Sequence, residues 1–238
     1  MSNLMLKKSI IFFDVGFTLI TPDYQHIAGV IGNIISPLSL YKTEPIALKE
    51  INKWMNDCCK NNLERITFRQ IIEIYFNHNE VRLTDIIYSL LEKENLKHRF
   101  WGVVDADNLL VFKALKEKVI RLAIISNSDG RVSSQLELVG YKDIFEFIID
   151  STIVGSRKPN KEIFEIALNR AGVRSEQAIY IGDLPAVDLK GALLSGMYAI
   201  LFDKHSVFQK EVEIYKNTSP NLMLGSIKRI NEILSFFN

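Results

Sequence analysis

The chain has 238 residues and is 47% hydrophobic, enough for a sizeable core, which excludes an intrinsically disordered chain. Its 29 basic and 28 acidic residues leave a formal net charge of +1, so there is no electrostatic ground for a nucleic-acid or membrane partner. The two cysteines, Cys58 and Cys59, are adjacent. Neighbours rarely close a strain-free disulfide, so reduced thiols and a cytoplasmic setting are expected.

Lys7-Lys8 leads into Ser9-Ile-Ile-Phe-Phe, an apolar run too short for the hydrophobic region of a signal peptide. Residues 9–13 read as a buried strand that runs into Asp14. A carboxylate there is tolerated if it is paired, hydrogen-bonded or metal-bound. The carboxyl ends of strands in an open α/β sheet are also where ligands bind. Asp14 therefore reads as a reactive or metal-binding group, or as a cap for the following turn. Tyr24 to Tyr41 carries no Asp, Glu, Lys or Arg, but Asn33, Ser36 and Pro37 interrupt it. It falls short of the ~20 continuous apolar residues of a membrane span, so a buried or half-buried helix is expected.

Glu44–Cys59, Thr67–Phe76 and Leu83–Leu91 show apolar residues at helical spacing, with Thr67 as an N-cap and Pro45 in a first turn. Residues 20–97 thus read as a helical insert. From Ala106 the pattern alternates: helix 106–118, strand 119–126, helix 131–139 stopped by Gly140, strand 147–149. Helix 160–170 follows, capped by Asn160 and ended by Gly172, then strand 178–181, helix 187–194, strand 198–202 and a last helix over 227–236. Such alternation predicts an α/β fold with a doubly wound, mostly parallel sheet and right-handed crossovers. No exposed heptad marks an oligomer seam.

Three later junctions join Asp14. Ala123-Ile-Ile-Ser126-Asn127 ends a strand in a hydroxyl and an amide. Arg157-Lys158-Pro159 precedes a helix, and Gly182-Asp183 ends a strand with Asp188 in the next turn. The ordered set of Asp, hydroxyl, Lys and acidic pair resembles the four motifs of the haloacid dehalogenase (HAD) superfamily. The resemblance implies a Rossmann-like core of residues 1–19 and 98–238, with residues 20–97 as an inserted α-helical cap. It makes Asp14 the nucleophile. Mg²⁺ would be held by Asp14, Asp183 and the backbone carbonyl of Gly16, supported by Asp188 and Thr18. Lys158 would offset charge on the phosphoryl group and on Asp14. Ser126 and Asn127 would bind substrate.

Plainer readings stand beside these. Asp183 and Asp188 also suit helix N-termini, and Ser126 also suits an ordinary strand end. Arg157 and Lys161 compete with Lys158, but read best as solvated charges. Cap lysines Lys49 and Lys53 would have to form a Schiff base for phosphonate cleavage, and read as surface residues. Asp23, Tyr24 and His26 are candidates for substrate selection.

One position departs from the family. Phosphatases of the superfamily usually carry a second Asp two residues after the nucleophile, to protonate the leaving group; here that residue is Gly16. The leading expectation is a Mg²⁺-dependent phosphohydrolase acting on a small phosphorylated metabolite. The alternatives are carbon–halogen or carbon–phosphorus cleavage, and a catalytically silent binding or regulatory protein.

Overall fold

The structure, a computed structural model, describes residues 9–61 and 66–237, without the side chains of 59–61. Lys7, Lys8 and the Cys59 side chain lie outside the described residues. The chain divides into two compact units: Ile20–Val103, and the segments on either side of it.

The second unit is built on a parallel sheet of six strands. They are β1 (Ile10–Phe13), β4 (Arg121–Ser126), β5 (Ile148–Asp150), β6 (Ala178–Gly182), β7 (Tyr198–Phe202) and β8 (Met223–Ile227), in the order β5-β4-β1-β6-β7-β8. β1, β6 and β7 are buried along their whole length, which is why they read as unbroken apolar runs rather than alternating ones. β1 is central. The chain builds outward from it first through β4 and β5, then restarts on its other side with β6. That reversal is the switch point at which open α/β sheets bind ligands, at the carboxyl ends of the strands. Phe13 pairs with Ile124 on one side and Ile181 on the other, so Asp14 emerges between the ends of β4 and β6. Its backbone N–H still donates to Ile181 O, at 2.8 Å.

Helices cover the sheet where their apolar residues recur. Helix Asn108–Glu117 buries Val111, Phe112 and Leu115, and Phe112 meets Phe13 edge-on with ring centroids 5.7 Å apart. Helix Lys161–Ala171 buries Ile163, Phe164, Ala167 and Leu168 and ends at Gly172, whose φ of 65° is the left-handed conformation that glycine adopts freely. Asn160 stands at its N-cap position but makes no side-chain capping bond. Three elements differ from expectation. Pro185–Leu189 is a π-turn rather than the start of a plain helix. Gln209–Thr218 is helical, although its sequence is too polar to show a clear apolar stripe. The last segment is strand β8 followed by a 3₁₀-helix, Ile230–Phe237.

The unit Ile20–Val103 is opened by β2 (Thr21–Pro22) and closed by β3 (Trp101–Val103), which pair antiparallel. The pairing carries this unit past residue 97, the expected end of the insert. Its helices among the described residues are Tyr24–Val30, Pro37–Asn61, Phe68–His78 and Asp85–Leu96. Ile27, Ala28, Ile72, Tyr75, Phe76, Leu91 and Phe100 make its core. Thr67 caps its helix as expected, in a capping box with Gln70. Pro45 lies inside helix Pro37–Asn61 instead of in a first turn. The uncharged stretch from Tyr24 is two helices broken by a turn at Gly32 and Asn33, with φ of 66° and 57°. No described helix is long and apolar enough to cross a membrane.

Candidate active site

Asp14 leaves the end of β1 and is 7% exposed. Lys158 comes from the loop before helix Lys161–Ala171 and is 2% exposed. Its ammonium donates to Asp14 Oδ1 at 2.6 Å, to Asp188 Oδ1 at 2.7 Å and to Tyr180 Oη at 2.6 Å. Burial works against the ammonium, but Asp14 and Asp188 outweigh it and raise the Lys158 pKa. Lys158 is therefore the buried cation of this loop. Lys161 is exposed and pairs with Glu165 one turn along its own helix.

Asp183 follows β6 and is 3% exposed. Its Oδ1 accepts a hydrogen bond from Thr18 Oγ1 at 3.2 Å, whereas Oδ2 is buried and has no hydrogen-bond partner among the described residues. Asp188 folds back from the π-turn. Its Oδ1 accepts from Lys158 and from Tyr180 Oη at 2.9 Å, and its Oδ2 accepts from Leu184 N–H at 2.9 Å. The fold-back depends on Gly182, because a Cβ there would collide with the Asp188 carboxyl group. The Gly-Asp pair thus has two separate reasons: room for one carboxylate, and placement of another.

One oxygen each of Asp14, Asp183 and Asp188 lie within 4.8 Å of one another. Burial raises the Asp14 pKa to about 6 against the opposing pull of Lys158. Burial and the neighbouring Asp188 raise that of Asp183 well above its ordinary value. Three acids around one ammonium hold more negative charge than the protein answers, and the partnerless Asp183 Oδ2 marks where. This donor set fits a hard divalent cation. Asp188 is the least available ligand, because both of its oxygens already accept hydrogen bonds.

Ser126, 4% exposed, ends β4 beside β1. The Asn127 amide is turned to the Lys158 backbone. Its Oδ1 accepts from Lys158 N–H at 2.8 Å and its Nδ2 donates to Lys158 O at 3.0 Å. The turn after Asp14 holds Gly16 and then Phe17, which has φ of 57°. A left-handed conformation costs a residue with a side chain ~1–2 kcal/mol, a strain kept here in the turn that follows Asp14.

In the helical unit, Asp23 caps its helix through His26 N–H at 2.9 Å. The His26 ring pairs with Glu94 at 2.7 Å, and Tyr24 bonds to Glu44 at 2.5 Å. Lys49 and Lys53 are exposed. Tyr180 is the site residue missed in the sequence. Its signal was a phenol inside the apolar run Ala178-Ile-Tyr-Ile, where a hydroxyl must find a partner.

A doubly wound sheet with an acid-and-lysine cluster at its switch point defines a class of α/β hydrolases. Residues 31–202 match the haloacid dehalogenase-like hydrolase family, and the chain belongs to it. The match begins after Asp14 and so does not bear on Gly16.

Haloacid dehalogenase-like hydrolase domain-containing protein 3 of Mus musculus is 33% identical over 101 residues, 42% of this chain and 40% of that protein. Glyceraldehyde 3-phosphate phosphatase of Methanothermobacter thermautotrophicus is 34% identical over 123 residues, 50% of this chain and 54% of that one. The chain thus spans about half the length of the curated relatives it matches. The fold is shared with the magnesium-bound HAD hydrolase YfnB of Bacillus subtilis. The TM-score is 0.67 at 18% identity, over 97% of this chain and 99% of that one.

Proposed function

We propose that the chain is a Mg²⁺-dependent phosphohydrolase that acts on a small phosphorylated metabolite through an aspartyl-phosphate on Asp14. The observation that carries this reading is the trio of buried carboxylates around one ammonium, with Asp183 Oδ2 lacking a partner. Asp14 and Asp183 would hold the metal with the Gly16 carbonyl. When bound, Mg²⁺ supplies positive charge that orients the phosphoryl group and offsets its developing charge.

The chain's own residues do the rest. Asp14 attacks phosphorus, and the leaving oxygen departs with the electrons of the broken P–O bond. Lys158, 2.6 Å from Asp14 Oδ1, aligns the carboxylate and offsets charge. Ser126 donates its hydroxyl to a phosphoryl oxygen. Water cleaves the acyl phosphate, which regenerates Asp14 and releases inorganic phosphate. The relative named glyceraldehyde 3-phosphate phosphatase supports a small phosphorylated substrate. The helical insert after Asp14 is the cap of this reading and selects the substrate. Its amide hydrogen exchange is expected to slow when a phosphate analogue binds.

Gly16 cannot transfer a proton, and general acid–base help is worth ~10²–10⁴ in rate. Aryl phosphates, acyl phosphates and anhydrides, which leave as stable anions, should be favoured over alkyl phosphates. The test is kcat/KM for 4-nitrophenyl phosphate and for a sugar phosphate, with Mg²⁺ and with a chelator. Wild type should prefer the aryl ester. Asp14→Asn should lose at least ~10³-fold on both, and Gly16→Asp should raise the alkyl rate more than the aryl one. Equal wild-type rates on both esters would assign the acid to another residue. Gly16 is also compatible with a second reading, carbon–halogen cleavage, against which the retained Gly182-Asp183 pair speaks; halide release from a 2-haloacid without metal would replace the phosphatase by it.

A further inference from the structure

We propose that Tyr180 and Asn127 are positioning residues that hold Lys158 against Asp14 from its two ends. Lys158 stands in a loop, with no strand partner for its backbone. Asn127, at the end of β4, supplies what a strand would. It accepts from the Lys158 N–H at 2.8 Å and donates to the Lys158 carbonyl at 3.0 Å. A side-chain amide has the donor and acceptor of a peptide group, so the pair of bonds fixes the residue in both position and orientation.

The other end is held as tightly. An ammonium has three N–H donors, and here they meet three acceptors: Asp14 Oδ1 at 2.6 Å, Asp188 Oδ1 at 2.7 Å and Tyr180 Oη at 2.6 Å. Because Lys158 donates to the phenol oxygen, the phenol proton must point away from it. It has two acceptors within reach, Asp188 Oδ1 at 2.9 Å and the Ile125 carbonyl at 3.2 Å. The ring cannot turn aside. It is fully buried in β6 and packs edge-on against Phe164, with centroids 5.2 Å apart. Two carboxylates alone would leave the third N–H without a fixed direction. Tyr180 gives it one and holds the ammonium on Asp14, leaving Asp183 outside its hydrogen bonds.

The inference rests on Asp14 being the nucleophile, and its test separates the two. Tyr180→Phe keeps the ring and removes the acceptor. Asn127→Ala removes both backbone bonds, while Asn127→Asp keeps the acceptor and loses the donor. With 4-nitrophenyl phosphate and Mg²⁺, Tyr180→Phe and Asn127→Ala should lower kcat ~10–100-fold with KM within about twofold, as expected for misalignment of the reacting groups. Asn127→Asp should fall between Asn127→Ala and wild type. An unchanged kcat in Tyr180→Phe overturns the role of Tyr180. A raised KM with kcat retained in Asn127→Ala returns that residue to substrate contact.

Urea unfolding gives a readout independent of turnover. The midpoint shifts of Tyr180→Phe and Lys158→Met should fail to add in the double variant. If wild type hydrolyses no phosphate ester, the proposed reaction fails and the unfolding cycle alone decides, with additive shifts overturning the inference.

Discussion

Each unit of the molecule buries acid among hydroxyl groups, but the two do so to different ends. In the helical unit, Glu44 is 1% exposed and accepts a hydrogen bond from Tyr24 Oη at 2.5 Å, while Tyr24 Oη lies 2.9 Å from Tyr75 Oη. Burial first, then the neighbouring groups, drives both phenol pKa values up, so these hydroxyls stay neutral donors. At the sheet end, Asp14 and Asp188 share one ammonium, and Asp183 beside them has an Oδ2 with no hydrogen-bond partner among the described residues. A structural acid recruits neutral donors; this site leaves charge over. Burial and the crowding of these acids push the pKa values of Asp14 and Asp183 up.

The sharpest way to break the contrast is to remove the cation. Lys158→Met leaves three buried acids around an apolar side chain. Losing one partner of a buried ion pair costs ~3–5 kcal/mol, so urea unfolding at pH 7 should show a loss of that size. The loss should shrink at pH 5, where Asp14 protonates. Equal losses at both pH values would mean that Asp14 is not charged beside Lys158.

The next effect concerns protons and metal together. The Asp14 pKa rises from 3.8 to about 6 on folding. Between those values the native state binds more protons than the unfolded chain, so the Asp14 contribution to stability falls as pH rises through that window. At 1.36 kcal/mol per pKa unit the contribution is roughly 3 kcal/mol. It is read as the difference between wild type and Asp14→Asn across pH 4 to 7 without metal. Saturating Mg²⁺ should flatten the difference, because the cation takes the place of the proton, and Mg²⁺ affinity should weaken below about pH 6. A difference that grows with pH in the absence of metal would contradict this sign.

Asp183→Ala tests the leftover charge directly. Outer partners of metal ligands already cost ~10–100-fold in affinity when lost. Calorimetry should therefore show a Mg²⁺ affinity at least ~10-fold weaker, and unchanged affinity would remove the metal role. The smallest effect belongs to the other unit. Glu44→Gln should cost ~1–3 kcal/mol of stability, as for a disturbed buried hydrogen bond, and leave Mg²⁺ affinity unchanged. A change in Mg²⁺ affinity there would end the contrast between the two buried acids.

Much of this was legible in the chain. Strands β1, β6 and β7 announce themselves because a parallel strand buried on both faces is an unbroken apolar run. Asp14 and Asp183 stand out because a charge that ends such a run is costly without a partner, while Lys158 and Asp188 stand out by their order and spacing relative to them. Strand β8 was missed because it is an edge strand interrupted by Gly225, whose φ is 146°. Helix Gln209–Thr218 was missed because it buries little, Val212 being its one buried residue.

By itself, then, the sequence determined which residues carry the charge, and that Asp14 and Asp183 follow the ends of strands. Those facts are local: burial patterns and breakers act over a few neighbours. What each residue touches was decided by the tertiary structure. Asn127 and Lys158 are 31 residues apart, and Asp14 and Lys158 are 144 apart. No periodicity reports a contact made across strands by the register of a sheet. An amide that could equally bind substrate or backbone, and a phenol that could equally be core or anchor, acquired their roles only when β4 and β6 were laid on either side of β1.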